Sequence, residues 1–263
     1  MARLLVIGGG RMGEALVGGL VGSGWASAAE IAVAEVDAGR RAELAAAHPG
    51  LAVGDDVVPT DAAVVAVKPA DAPAAAEAAG RAGARRVLSI AAGVTTAALE
   101  AALPPGTAVV RAMPNTPALV GAGASAIAPG AAASDADLAW AEEVLGAVGQ
   151  VVRVPEAHLD AVTGLSGSGP AYVFLVAEAL IDAGVLAGLP RPTSRTLAVQ
   201  TLLGAARLLD ETGETPEVLR AQVTSPGGTT AAGLRALEAG GVRSAVIDAV
   251  MAATERSRAL GSA

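Results

Sequence analysis

The sequence predicts two joined architectures: an α/β domain on a doubly wound, mostly parallel sheet over residues 1–154, then an all-helical domain over residues 155–263. Three observations carry this reading. Short β-branched runs alternate with alanine-rich helical stretches through the first half, the pattern of successive βαβ units. A glycine-rich turn follows the first run and opens the first helix. After Pro155 no strand-like run appears, and every periodic segment has helix spacing.

The elements follow in order. Residues 3–7 read as a strand and 13–21 as a helix; 31–34 is the next strand and 37–47 its helix. Apolar runs of strand length recur at 63–67, 87–90 and 108–111, with a last short strand at 151–154. The second half reads as helices over 156–163, 170–187, 193–210, 216–223, 230–239 and 243–260. Thr215-Pro216 has the form of a cap followed by proline at the first helical position. No internal repeat or low-complexity linker interrupts the chain.

Composition narrows the function. Hydrophobic residues make up 52% of the 263 and aromatics only 2%, so the core must close through small side chains at short range. The formal net charge is −8 and the chain has no basic cluster, which argues against nucleic-acid binding. Cysteine is absent, excluding disulfides and thiolate catalysis. The only two histidines, His48 and His158, are far apart, so no metal centre is expected. Met1-Ala2-Arg3 leads straight into Leu4 and a glycine loop, without the form of a secretory signal. The apolar stretch 171–189 carries Glu178 and Asp182 one helical turn apart and reads as a buried helix, not a membrane span. A cytoplasmic protein is expected.

Gly8-Gly9-Gly10-Arg11-Met12-Gly13 matches G-x-G-x-x-G in the required strand–turn–helix context. Gly8 would allow the tight turn, Gly10 the approach of a pyrophosphate, and Gly13 close helix–strand packing, with Arg11 and Met12 opening the helix. A Rossmann-type dinucleotide site follows. At the end of the second strand Glu35 could accept the adenosine ribose hydroxyls, which favours NADH, and Asp37 stands two residues on. Arg40 and Arg41, one turn later, either meet the 2′-phosphate of NADPH or form a solvated helix face. The cofactor is thus NADPH or NADH.

The chain's one lysine, Lys68, ends a strand within Ala66-Val67-Lys68-Pro69, where ligands bind in such sheets. It reads either as a surface charge or as a site-lining group. Ser89-Ile90-Ala91-Ala92-Gly93 ends the next strand with small residues against which a flat nicotinamide could lie.

A second loop, Thr224-Ser225-Pro226-Gly227-Gly228-Thr229-Thr230, feeds another predicted helix. Four hydroxyl residues flank two glycines and one proline at a helix start, where unpaired backbone N–H groups converge. Such a site suits a carboxylate or phosphate. Plain capping would account for one of these hydroxyls, not for all. Two anion-seeking loops in one chain point to two ligands and a transfer between them. Ser166-Gly167-Ser168-Gly169-Pro170 reads as a helix-entry turn, and the only Tyr and Phe, Tyr172 and Phe174, as packing anchors.

These motifs, with Arg111-Ala112-Met113-Pro114-Asn115-Thr116-Pro117-Ala118, resemble in order those of the pyrroline-5-carboxylate reductases over essentially the whole chain. The resemblance implies a Rossmann-type domain, an all-helical C-terminal dimerisation domain that interlocks with a partner subunit, and reduction of 1-pyrroline-5-carboxylate to L-proline by NADPH or NADH. It implies that Ala66, Val67, Lys68, Pro69, Ala92 and Gly93 line the cofactor and that Asn115 lies near its nicotinamide end. It assigns the substrate carboxylate to Ser225, Gly227, Gly228, Thr229 and Thr230, with Thr230, the candidate catalytic residue, near the ring nitrogen. Many members carry hydroxyl residues at the second strand end, where this chain has Glu35. Apolar faces over 173–189 and 197–209 exceed what one small domain buries, so at least an intertwined homodimer is expected, and a ring of dimers such as a homodecamer is the larger form.

Three rival readings have distinct marks. A β-hydroxyacid dehydrogenase shares the two-domain plan but needs a lysine in its helical half, and none follows Lys68. An imine reductase for another cyclic imine would differ in ring-size preference. A dinucleotide sensor would need no second anion loop.

Overall fold

The computed structural model describes residues 2–261. By contacts the chain forms two compact units, one containing everything up to Ser168 together with the residues from Met251 onward, the other Gly169–Val250.

The first unit is built on a sheet of eight strands: β1 (Leu4–Ile7), β2 (Ile31–Ala34), β3 (Ala52–Gly54), β4 (Ala62–Val65), β5 (Arg86–Ser89), β6 (Ala108–Met113), β7 (Gly123–Pro129) and β8 (Gly149–Arg153). Their order is β3-β2-β1-β4-β5-β6-β7-β8. All pairs are parallel except β6 with β7. Strand order reverses between β1 and β4, and such a switch point leaves a crevice at the carboxyl ends of the strands.

Helices cover both faces, as a doubly wound sheet requires. They are α1 (Arg11–Gly22), α2 (Ala38–Ala47), α3 (Ala72–Arg81), α4 (Thr96–Glu100), α5 (Asp135–Gly146) and the short α6 (Leu159–Val162). Alternate residues of β1 point to opposite cores. Leu4 and Val6 join Leu16, Leu20 and Val144 of α1 and α5, while Leu5 and Ile7 join Ala72, Ala76 and Ala79 of α3. Helix α3 buries Ala72, Ala75, Ala76 and Ala79, a stripe at helical spacing made only of methyl groups. Small side chains draw helix and sheet close together, which is how a chain with 2% aromatics fills its core.

Two strands escape a reading of the sequence. β3 has three residues at the sheet edge and pairs only with β2. β7 is Gly-Ala-Ser-Ala-Ile-Ala-Pro, poor in β-branched residues, and is a strand because β6 and β8 flank it.

Beyond β8 the described residues are all helical or connecting, yet packing changes partner later than secondary structure does. Glu156 accepts hydrogen bonds from the Thr96 amide (2.8 Å), the Thr96 hydroxyl (2.7 Å) and Arg111 Nη1 (3.0 Å). Leu159 is fully buried with Ala126 and Ala128 of β7. Residues 156–168, including one π-helical turn at Thr163–Gly167, are therefore part of the first unit.

The second unit contains α7 (Gly169–Leu186), α8 (Arg191–Thr212), α9 (Pro216–Gln222) and α10 (Thr229–Ala239). The last helix, α11 (Val242–Gly261), begins there, and its residues from Met251 onward count with the first unit. α7 and α8 pack closely at Gly184, where an added Cβ would stand 2.1 Å from Ser194 Oγ. Ser194 in turn donates to the Ile181 carbonyl (2.7 Å).

The expectation of a buried helix at 171–189 is corrected here: no residue of α7 is buried in the single chain, and Phe174 and Leu175 are 63% and 66% exposed. The helical run Glu156–Leu186 is long and apolar enough to cross a membrane by length and composition alone.

The Glu156 carboxylate gives an acid-side test. Burial, the largest single influence, pushes its pKa up, but the Thr96 hydroxyl and amide and the Arg111 guanidinium together outweigh it and hold the group below 4.5. A depressed folded value contributes stability that is present above the unfolded pKa and is lost as pH falls through the folded one. Glu156→Gln is expected to cost about 2 kcal/mol at neutral pH. It should also flatten the decline in stability below about pH 4.5. Urea unfolding at a series of pH values checks both, and parallel curves for wild type and variant would remove Glu156 from the acid response.

Candidate active site

At the switch point β1 is followed by Gly8, whose φ of +103° is open to glycine and strained for other residues. A Cβ there would lie 2.6 Å from the Ala66 carbonyl oxygen, so the turn also needs a bare backbone where β1 passes the end of β4. Gly13 is required for a second reason: its Cβ would meet the Gly8 carbonyl oxygen at 2.1 Å. Gly10 is different. An added Cβ would find nothing within 4 Å, and Gly10 caps α1 without any side-chain bond. Two glycines of the motif are thus explained by the protein itself, and the third leaves space at a helix N-terminus. The opening amides of Arg11, Met12 and Gly13 have no intrahelical partner and carry the positive end of the α1 dipole. A dinucleotide pyrophosphate fits that space.

Glu35 stands beyond β2 with one carboxylate oxygen accepting from the Gly9 amide (2.7 Å) and the other from the Asp37 amide (2.9 Å). Neither arginine of α2 is a free solvated group. Arg40 donates from Nε to the Gly9 carbonyl (2.6 Å) and pairs with Glu14 and Glu43. Arg41 donates to the Glu35 (2.8 Å) and Val36 (2.9 Å) carbonyls.

The adjacent strand ends supply the other predicted residues. The Ala66 amide donates to Ile7 (2.8 Å) and the Ile90 amide to Val65 (3.0 Å), which aligns the loops after β1, β4 and β5 along one edge. Ala66 and Val67 are half-buried there. Lys68 is exposed and has no ion-pair partner among the described residues. Pro69, Ala92 and Gly93 line one cavity of about 790 Å³.

That cavity has further walls that a linear reading missed. Thr163 and Ser168 come from the segment after β8, and Ala253, Arg256 and Ser257 from the end of α11. Ser257 is fixed by its hydrogen bond to Asp160 (2.6 Å). Apart from Ser168, which lies in the Ser166–Pro170 turn, none belongs to a motif, and no local signal singles them out. Only folding brings the chain's last helix against the loop after β5, where a Cβ added to Gly93 would lie 3.9 Å from Gly261 Cα.

Asn115 is 9% exposed, and both ends of its amide are engaged. Its Oδ1 accepts from Ala124 (2.8 Å) and its Nδ2 donates to the Ser166 carbonyl (3.1 Å), so its side chain ties β7 to the π-helical turn.

The second anion loop lies in the other unit. Gly227 turns with φ +68°, and the Gly228 amide donates to the Ser225 carbonyl (3.0 Å). A Cβ on Gly228 would stand 2.4 Å from Ser225 Oγ, so the turn holds that hydroxyl close against bare backbone. The N-cap of α10 is Gly228, with no side-chain capping bond, and Thr229 and Thr230 are the first helical residues. Capping therefore does not consume their hydroxyls. Among the described residues no group of three or more His, Asp or Glu side chains is arranged to hold a metal ion.

Comparison with known proteins gives a consistent result. Residues 156–260 match the family description "Pyrroline-5-carboxylate reductase dimerisation", and residues 3–93 match "NADP oxidoreductase coenzyme F420-dependent". A pyrroline-5-carboxylate reductase of Synechocystis is 47% identical over 263 residues, covering 98% of each chain. Among solved structures, one of a pyrroline-5-carboxylate reductase from Coxiella burnetii superposes with a TM-score of 0.92 at 36% identity, covering 98% of both chains. A pyrroline carboxylate reductase of Plasmodium falciparum with NADP bound gives 0.85 at 30% identity, covering 99% of this chain and 98% of that one.

The glycines separate binding from folding. Gly10→Val should cost about 1 kcal/mol of stability, because valine is a poor cap residue at this otherwise open and exposed position. It should also weaken dinucleotide binding at least tenfold by filling the space a phosphate needs. Gly8→Val should lower the melting temperature strongly, because it strains the backbone and strikes Ala66. Thermal melts beside dinucleotide titration read both quantities. A Gly10→Val protein that binds normally would show that the α1 N-terminus holds no pyrophosphate.

Proposed function

The chain belongs to the pyrroline-5-carboxylate reductase family, and from that membership we propose that it reduces 1-pyrroline-5-carboxylate to L-proline with NADPH or NADH. The observation that supports this most directly is the pairing, in one chain, of a glycine loop open at Gly10 with a hydroxyl-rich loop at 225–230 whose helix start is uncapped. When bound, the nicotinamide supplies the hydride, which adds to the imine carbon as the nitrogen takes or keeps a proton.

The chain's own residues bind and position. The amides of Arg11, Met12 and Gly13 grip the pyrophosphate. Ala66 to Pro69 and Ala92-Gly93 form the wall for the nicotinamide half, with Asn115 near that end. Ser225, Gly227, Gly228, Thr229 and Thr230 hold the substrate carboxylate through charge-assisted hydrogen bonds. The imine nitrogen is basic enough to arrive protonated, so no strong general acid is required. Thr230 then orients the N–H. Holding imine carbon and hydride donor at attack distance replaces an encounter by a near-unimolecular step.

Glu35 at the end of β2 favours a free ribose 2′-hydroxyl, and hence NADH, over a 2′-phosphate. The uncovered faces of α7 and α8 fit a second copy of the chain, in line with the family's dimerisation region, and we place the enzyme in the cytoplasm as an interlocked homodimer or a ring of such dimers. Residues 155–263 would then serve both substrate binding and assembly.

The deciding assay is consumption of NADPH and NADH with 1-pyrroline-5-carboxylate. Turnover of neither would overturn the proposal. Thr230→Val is expected to lower kcat/KM about tenfold, the equivalent of one lost hydrogen bond near 1.4 kcal/mol, while leaving cofactor affinity intact. Glu35→Ser should move the kcat/KM ratio toward NADPH. An unchanged ratio would show that Glu35 does not read the ribose.

A further inference from the structure

The middle residue of G-x-G is free in the motif, yet here it is Gly9, buried, with unusual constraints. A Cβ on Gly9 would stand 2.5 Å from Leu44 Cδ1 and 3.2 Å from Glu35 Oε2. The loop therefore rests directly on α2, with Leu44 fully buried beneath it. Both polar groups of Gly9 are taken by charged side chains. Its N–H donates to Glu35 Oε2 at 2.7 Å, and its carbonyl accepts from Arg40 Nε at 2.6 Å. The same guanidinium reaches Glu43 through Nη1 at 2.9 Å and Glu14 of α1 through Nη2. One planar fork thus joins the loop, the helix whose N-terminus the loop opens, and the helix underneath.

We propose that Arg40 is a positioning residue for the dinucleotide. With Glu35 and Leu44 it locks the Gly8–Gly13 loop in its phosphate-receiving shape before the cofactor arrives, and it does not read the 2′-phosphate. Three acceptors already engage its donors, and two of them are carboxylates that offset its charge, so a 2′-phosphate meets a guanidinium already compensated at this position. Pre-forming the loop lowers the ordering cost that binding would otherwise carry, and that saving is the same for either dinucleotide. Lysine cannot stand in, because one ammonium on a flexible stem does not reach three acceptors in a fixed plane.

The inference rests on the first unit binding a dinucleotide, so its first readout omits the imine. NADH and NADPH dissociation constants are measured by fluorescence titration for the wild type, Arg40→Ala and Arg40→Lys, followed by steady-state kinetics. Arg40→Ala should weaken both dinucleotides about tenfold, by factors equal within twofold. It should raise the cofactor KM while leaving kcat and the imine KM unchanged, a split that general destabilisation does not produce. Arg40→Lys should recover less than half of the loss on a logarithmic scale. It also serves as the reporter if Arg40→Ala does not fold. Loss confined to NADPH would make Arg40 a phosphate reader and overturn the proposal, as would unchanged affinity for both. A wild type that binds neither dinucleotide would instead overturn the dinucleotide reading itself.

Discussion

The close approach of three backbone segments at Gly8 is the constraint on which the rest of the first unit depends. β1 is the inner strand at which the sheet order reverses. For α1 to leave it and pack back, the chain must turn at once beside the end of β4. That turn leaves no room for a Cβ at Gly8, 2.6 Å from the Ala66 oxygen, or at Gly13, 2.1 Å from the Gly8 oxygen. The consequence is functional. With strand and helix this close, the free amides of α1 open at the switch point, beside the loops that follow β4 and β5. A bulkier turn would push α1 outward and carry its positive end away from that crevice.

The same economy of side chains shapes the whole unit. Alanine stripes such as that of α3 bring helices near the sheet, and buried polar groups are tied rather than isolated. No described buried side-chain N or O atom lacks a hydrogen-bond partner. Asn115, Arg111 and Ser257 are each engaged in this way, and each fastens the segment after β8 or the last helix to the α/β unit. Those fastenings explain why contacts change partner after Ser168 although strands end at Arg153. The second unit obeys the opposite logic. Its two longest helices keep large apolar side chains on the surface, with Leu186 at 91% exposure. Exposed apolar area on this scale marks an interaction surface, in keeping with the family's dimerisation region.

Periodicity and motif made much of this visible in the chain. β1, β2, β4, β5 and β6 announced themselves as apolar runs because they are buried on both faces of a parallel sheet. The long helices announced themselves by spacing and caps. β3 and β7 did not, because their strand character comes from neighbours rather than from their own small residues. The glycine loop was legible because Gly8 and Gly13 answer steric demands and Gly10 leaves open space at the helix start. The role of Arg40 was not. From spacing alone it was either a phosphate contact or a solvated charge, whereas its geometry depends on a carbonyl and a carboxylate, at Gly9 and Glu14, which the turn from β1 into α1 brings beside α2.

What the sequence by itself determined is therefore the set of features written in short runs: most element types, the glycine loop at Gly8–Gly13, the hydroxyl-rich helix entry at 224–230, and the ordered motifs that carry the family. Each is written in a run of a few residues, so it survives in the linear order. What only the tertiary structure decided is which distant groups share a surface: Arg256 and Ser257 beside Ala92, Asn115 bridging Ala124 and Ser166, Arg40 locking Gly9. Those contacts span from nine residues (Asn115 to Ala124) to well over a hundred (Ala92 to Arg256), and no local propensity encodes them. They exist because the sheet order and the packing of small side chains leave one way for these segments to meet.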